Sequence, residues 1–395
     1  MSMDRTESMR NTVLKYWPFA LLVVGAVAWG VGFLLNPTGT QSAMFYKGGK
    51  SWFSDFYMIQ DFLAEADYYR PQSYSWHDSN YVALIRLLFS AFPYSFIGAL
   101  AFTVLSFVLY LLAVAQFARN RNLPTSWTLI AAVCTSNFIS SVERGNSIVV
   151  SAAAVVLFLA WFDCDVKWKR TVAAVALAFA GVSKVSPALL GFLYLPKRQW
   201  REIAVCAASA IALFFVPFFI PGCGGWDGIR QWFLNSKANS QYYALYGAYG
   251  FPKLFYGIYN VMVALGYNGE ARGVAAVRPL SPIFGVSLFA ASFFAAKRHV
   301  RVFLTLAALL IAPGNQHGYC GLYLVPVMFW IMWEERSLWL SACVVAMFFA
   351  FVFPVPVLAA VEGVLQNVLL MVLAAFFAGR SLAAVIDHRR GASHG

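Results

Sequence analysis

The chain has 395 residues, 61% hydrophobic and only 12% charged, against roughly 45–50% and 25% in ordinary soluble domains. A water-soluble globule of this length could not hide so much apolar surface, so the composition excludes one and points to a polytopic membrane protein. The net charge of +12 would suit nucleic acid if gathered in one patch, but the basic residues punctuate hydrophobic runs and read as topology instead.

The first apolar run, Tyr16 to Leu35, follows Arg5, Arg10 and Lys15. It is too long for a signal-peptide core and has no small-residue cleavage site, which predicts a retained first helix with a cytoplasmic N-terminus. Residues 36–93 then form a first outer loop. Within it Trp52, Phe56, Ile59, Leu63 and Ala66 make one helical stripe, with Ser54, Asp55, Gln60, Asp61 and Glu65 on other faces. That pattern predicts a helix lying at the membrane interface.

Apolar runs follow at 94–118, 125–142 and 146–162, the last two joined by a tight outer turn, Glu143-Arg144-Gly145-Asn146. The run 171–195 breaks the alternation. Basic clusters flank it on both sides (Lys167, Lys169 and Arg170 before; Lys197, Arg198 and Arg201 after), and its middle reads Gly181-Val182-Ser183-Lys184-Val185-Ser186-Pro187. A charge and a helix breaker stand where a span should be most apolar. Two short helices meeting at a turn on the far side are expected, with Lys184 looking into a cavity, because irregular backbone at depth is tolerated only against protein or water.

A further run at 202–221 leads to a second large outer loop, 222–279, with a candidate surface helix at 251–265. Runs at 280–296, 302–313, 320–333, 337–353 and 357–378 complete the chain. Between two of them lies a polar turn, Ala312-Pro313-Gly314-Asn315-Gln316-His317-Gly318-Tyr319, and Glu362 sits inside the last. Most of the 29 basic residues fall on one expected face, which the positive-inside rule assigns to the cytoplasm. The architecture expected is one all-α transmembrane domain over residues 1–395, with about ten full spans, one re-entrant-like helix pair and outer interfacial helices.

The six cysteines are scattered singly, without disulfide or metal-ligand spacing. No Asp-x-Asp pair or His/Asp cluster has ligand spacing, so neither metal nor cofactor is expected. Chemistry must come from polar residues that a membrane protein would otherwise avoid. Asp55 reads as a general base at the membrane surface or as a solvated carboxylate. Asp61 and Glu65, four apart, read as solvated. Glu143 and Arg144 read as an internal salt bridge of their turn, or with Asn146 as part of a site. His317 and Glu362 read as structural or as lining a cavity.

Taken together these positions resemble glycosyltransferase family 87, polyprenol-phosphate-mannose-dependent mannosyltransferases with the GT-C fold. Ser54-Asp55-Phe56, followed by an amphipathic helix and Tyr68-Tyr69-Arg70-Pro71, resembles the family's acidic loop motif. Arg144-Gly145-Asn146 resembles its Gly-Asn turn. Ala180 to Pro187, then Pro196-Lys197-Arg198-Gln199-Trp200-Arg201, resembles its Lys-x-x-Pro block and basic, Trp-containing loop. The segment from Ala312 to Gly318 stands where the family reads Ser-Pro-x-Ser-Trp-x-His-His, with Gly318 in place of one histidine.

The resemblance implies a polyprenyl-phosphate sugar donor, a glycolipid or glycan acceptor, and an active site on the outer face of a membrane that is bacterial and cytoplasmic. Asp55 would be the catalytic base of an inverting displacement. Lys184, Arg144 and His317 would hold the donor phosphate, and Tyr57, Asp61, Glu143 and Asn146 would line the acceptor side or the cavity. Such a donor carries a good leaving group, so a base and cations on the phosphate suffice. The competing readings are a transporter or flippase for a lipid-linked sugar and a non-catalytic scaffold. Nothing in the second half mirrors the 36–93 loop, as an inverted-repeat transporter would lead one to expect.

Overall fold

The computed structural model describes residues 2–35, 52–64, 81–243, 249–267, 274–313, 318–349 and 356–392. Among them every regular element is helical. In chain order these are α1 (Ser2–Leu35), α2 (Ser54–Ala64), α3 (Ala83–Ser90), α4 (Phe96–Asn120), α5 (Thr125–Val133), α6 (Ser136–Glu143), α7 (Ile148–Trp161) and α8 (Lys167–Ser183). A 3-10 segment, Ser186–Lys197, precedes α9 (Trp200–Phe218), α10 (Gly225–Tyr243), α11 (Phe251–Ala264), α12 (Val274–Val277), α13 (Leu280–Phe294) and α14 (Arg298–Ile311). A second 3-10 segment, Gly318–Tyr323, leads into α15 (Val325–Glu335), α16 (Leu338–Phe348) and α17 (Pro356–Ala392).

Three described stretches, Phe96–Asn120, Trp200–Phe218 and Val364–Asp387, are long and apolar enough to cross a bilayer alone. Shorter apolar helices include Ile148–Trp161 and Leu280–Phe294. Other runs that read as single spans are built from pieces. Residues 125–142 divide into α5 and α6 at Cys134–Thr135, where the Thr135 hydroxyl accepts from the Phe138 amide and caps the second piece. Ile97, Leu112 and Val286 point outward and are exposed, as side chains in contact with lipid would be.

One end of the bundle collects the basic clusters. Asp163 pairs with Arg121 and with Arg298, and the Arg121 guanidinium lies 4.8 Å from the Trp330 ring. Arg170 reaches Glu202 at 2.9 Å and the Cys164 carbonyl at 3.0 Å. Lys297, His299 and Arg380 each contact Glu335 at 2.8 Å. Burial alone would raise the Glu335 carboxyl, but these three partners outweigh it and hold it down at about 2. The two flanks of 171–195 therefore meet at a single end, with the Lys184 turn at the other.

This helix pair forms as the sequence requires. α8 stops at Ser183, Lys184 is extended (φ −147°, ψ 107°), and Pro187 opens the 3-10 return. The two arms of the pair touch through small residues: a Cβ on Gly181 would lie 3.2 Å from the Ala188 Cβ.

Two apolar cores organise the bundle. The larger joins α4, α7, α8, α14, α15 and α17. The smaller gathers α2, α3, the start of α4 and the α9–α10 junction around Phe56, Phe89 and Phe102. The Phe89 and Phe102 rings lie 4.5 Å apart, with Phe56 at 5.5 and 5.8 Å from them. The helix expected at 251–265 is α11, whose Gly257 sits against Val364 of α17 with no room for a Cβ.

Candidate active site

The site lies at the end of the bundle opposite the basic clusters, where α2 meets the end of α6. Arg144 caps α6, and Gly145 takes the left-handed conformation (φ 61°). The Gly145 amide donates to the Val142 carbonyl and the Asn146 amide to the Ser141 carbonyl, both at 3.0 Å. This is the paired closure that a glycine permits at a helix C-terminus. The carbonyls of Glu143 and Arg144 remain open at that end, and α2 supplies their donors. The Phe53 amide reaches Glu143 O at 2.7 Å and the Asp55 amide reaches Arg144 O at 2.9 Å. Orphan amides at one helix start thus satisfy orphan carbonyls at another's end.

That junction brings Asp55 and Arg144 together across 89 positions of sequence. Arg144 Nε donates to Asp55 Oδ2 at 2.8 Å and Nη2 donates to Oδ1, the two-pronged geometry suited to a guanidinium and a carboxylate. Asn146 Nδ2 donates to Oδ2 as well, while its Oδ1 accepts from the Ile148 amide, the first of α7, at 2.8 Å. A carboxylate oxygen accepts about two hydrogen bonds. Among the described residues Oδ2 therefore has two donors and Oδ1 one, which leaves an acceptor position on Oδ1.

Two polar positions of α2 are buried. Asp55 is 3% exposed and Gln60 7%, and Gln60 Nε2 donates to the carbonyls of Phe89 and Phe92. Both are buried because other helices supply long-range partners, which periodicity within α2 cannot register. Asp61 is exposed and accepts from the Tyr94 hydroxyl at 2.8 Å. Tyr57 packs edge-on to Tyr94 at 5.5 Å. These two residues form a group of their own, apart from the Asp55 contacts.

Glu143 does not form the salt bridge of its turn, since Arg144 turns to Asp55 instead. Burial pushes its carboxyl up to about 7, with the Arg144 charge pulling the other way, and its Oε2 is buried without a hydrogen-bond partner among the described residues. Lys184 lies 5.8 Å from the centroids of both the Tyr81 and Tyr319 rings. Tyr319 is in turn within electrostatic reach of Asp55, Arg144 and Tyr81, so one tyrosine links the lysine to the carboxylate clasp. The sequence singled out neither tyrosine, although an aromatic with a polar tip directly after a polar turn is a usable signal.

The carbonyl of Gly318 accepts from Asn137 Nδ2 at 2.6 Å and from the Tyr249 hydroxyl at 3.0 Å, fixing the backbone before Tyr319. His317 and Glu65 lie outside the described residues, as does the side chain of Glu362. Among the described residues no three His, Cys, Asp or Glu side chains gather as metal ligands would.

No curated protein and no solved structure matches the chain. The profile of glycosyltransferase family 87 matches residues 81–313, more than half its length, and these include the Arg144 turn, the Lys184 hairpin and the approach to His317. The chain belongs to glycosyltransferase family 87 and is a membrane glycosyltransferase.

Proposed function

We propose that the protein transfers a hexose, with mannose the first candidate, from a polyprenyl-phosphate donor to a lipid- or glycan-linked acceptor. The reaction takes place on the outer face of a bacterial cytoplasmic membrane, in a GT-C domain of about ten spans plus the Lys184 helix pair. The observation that carries this reading is the buried Asp55, oriented by Arg144 and Asn146 with one acceptor position on Oδ1 left unfilled by the described residues.

An acceptor hydroxyl at Oδ1 would give its proton to Asp55 as its oxygen attacks the anomeric carbon. The bond to the phosphate oxygen breaks on the opposite face, its electrons leave with the polyprenyl phosphate, and the single displacement inverts the configuration. No general acid is needed, because the phosphate monoester is a stable leaving group. Lys184 balances the negative charge that builds there. A transporter reading would require this carboxylate clasp to serve no transfer chemistry, and membership of a glycosyltransferase family argues against it.

The test is incubation of the purified protein with labelled polyprenyl-phosphate mannose and candidate acceptors. Transfer with inversion is expected, and Lys184→Ala is expected to raise the donor KM at least tenfold while expression is preserved. Transfer from a nucleotide sugar but not from the lipid donor would overturn the reading.

A further inference from the structure

Lys184 is an unusual cation for the interior of a membrane protein. Among the described residues no carboxylate lies within ion-pair distance of it, whereas Arg121, Arg144, Arg170, Lys297, Arg298 and Arg380 all have one. Its neighbours are two aromatic faces, Tyr81 and Tyr319, at 5.8 Å each. That distance is close to the outer limit of about 6 Å at which a ring attracts an ammonium. The rings hold the charge in place without neutralising it.

The three residues reach this point from independent supports. Tyr81 packs on the smaller core and Tyr319 on the larger, so Lys184 sits at their seam. Val182, two residues before it, is buried in the smaller core, and the extended backbone at Lys184 ends α8 there. Tyr319 follows the Gly318 carbonyl that Asn137 and Tyr249 pin. A Cβ on Gly321, one turn on, would meet the Tyr249 hydroxyl oxygen at 2.5 Å and Asn137 Nδ2 at 2.7 Å, so the segment bearing Tyr319 has little freedom to move.

We propose that Tyr81 and Tyr319 are positioning residues for the donor, a two-walled aromatic cradle that presents Lys184 to the phosphate of a polyprenyl-phosphate sugar. The inference rests on the donor reading above and adds to it the residues that hold the cation ready. An aromatic wall does not compete with an incoming phosphate as a carboxylate would, so among the described residues the ammonium has no ion pair to break as it meets the anion. In this cradle the ring faces do the positioning.

The experiment measures binding of farnesyl phosphate, a lipid phosphate without a sugar, to the purified full-length protein in nanodiscs. The variants are Tyr81→Phe, Tyr81→Leu, Tyr319→Phe, Tyr319→Leu and Lys184→Met, with the thermal midpoint of each as a folding control. Saturable binding to the unaltered protein is expected. The phenylalanine variants should stay within about threefold, and the leucine variants should weaken by about tenfold, the scale of a partly desolvated cation–π contact. In the Lys184→Met background the leucine changes should have no further effect, which a merely structural role would not produce. Unaltered protein that fails to bind overturns the donor reading and the cradle with it. Binding in the unaltered protein with unchanged leucine variants overturns the cradle alone, as does equal weakening by phenylalanine and leucine.

Discussion

Removing Arg144 should expose how strongly the Asp55 clasp is built. The Asp55 side chain is 5% exposed and that of Arg144 is 26%. Arg144→Met therefore strands a buried carboxylate that, among the described residues, retains only Asn146. Breaking a buried pair from one side costs about 3–5 kcal/mol. The Arg144 side chain is about a quarter exposed and Asn146 remains in place, so the lower end, about 3 kcal/mol, is expected here. The backbone bonds from α2 to the Glu143 and Arg144 carbonyls do not depend on the side chain and should keep the junction docked. Asp55→Asn in the Arg144→Met background removes the stranded charge and should restore about 2 kcal/mol, a coupling typical of residues in one network. The assay is reversible unfolding in mixed micelles followed by tryptophan fluorescence, for both single variants and the double variant. A coupling below about 0.5 kcal/mol, the level shown by independent sites, would refute the clasp.

Two further predictions concern the same turn. Gly145→Ala forces a side chain into a left-handed conformation with its Cβ 3.1 Å from the Phe56 Cβ. A loss of about 1–2 kcal/mol is expected, together with at least a tenfold fall in turnover as Arg144 and Asn146 shift; normal turnover would show that the turn does not orient Asp55. Glu143 titrates at about 7 in the folded protein against an ordinary 4.5. The folded state thus holds this proton more tightly, and the contribution to stability is full below about 4.5 and lost as pH rises towards about 7. Glu143→Gln should match the unaltered protein at pH 4.5 and melt higher at pH 8; a difference that does not change with pH would contradict the assignment.

Much of the layout is legible in the sequence because topology rests on local signals. Basic residues on both flanks of 171–195, with Lys184 and Pro187 between them, require a returning pair, and the pair is α8 and the 3-10 segment. Glu143-Arg144-Gly145-Asn146 reads as a tight turn between two apolar runs, and in the structure it closes α6 with Gly145 left-handed. The burial of Asp55 is not legible, because its partner stands 89 positions away and the α2 pattern alone places it on a polar face. Nor is the link from Tyr319 to Lys184, which depends on Asn137 and Tyr249 holding Gly318 from elsewhere in the chain. Span lengths mislead for a similar reason. A continuous apolar run such as 125–142 contains a break at Thr135 that hydrophobicity does not record.

The central claim is that Asp55 takes the acceptor's proton, and Asp55→Asn tests it most directly. The amide keeps the size and removes the basicity, so single-turnover transfer from saturating polyprenyl-phosphate sugar should fall about a hundred- to ten-thousand-fold. Donor affinity, held by Lys184, should stay within a few-fold. Retention of more than a few per cent of the rate in that variant, or a comparable collapse on Asp61→Asn with Asp55→Asn still active, would contradict the account.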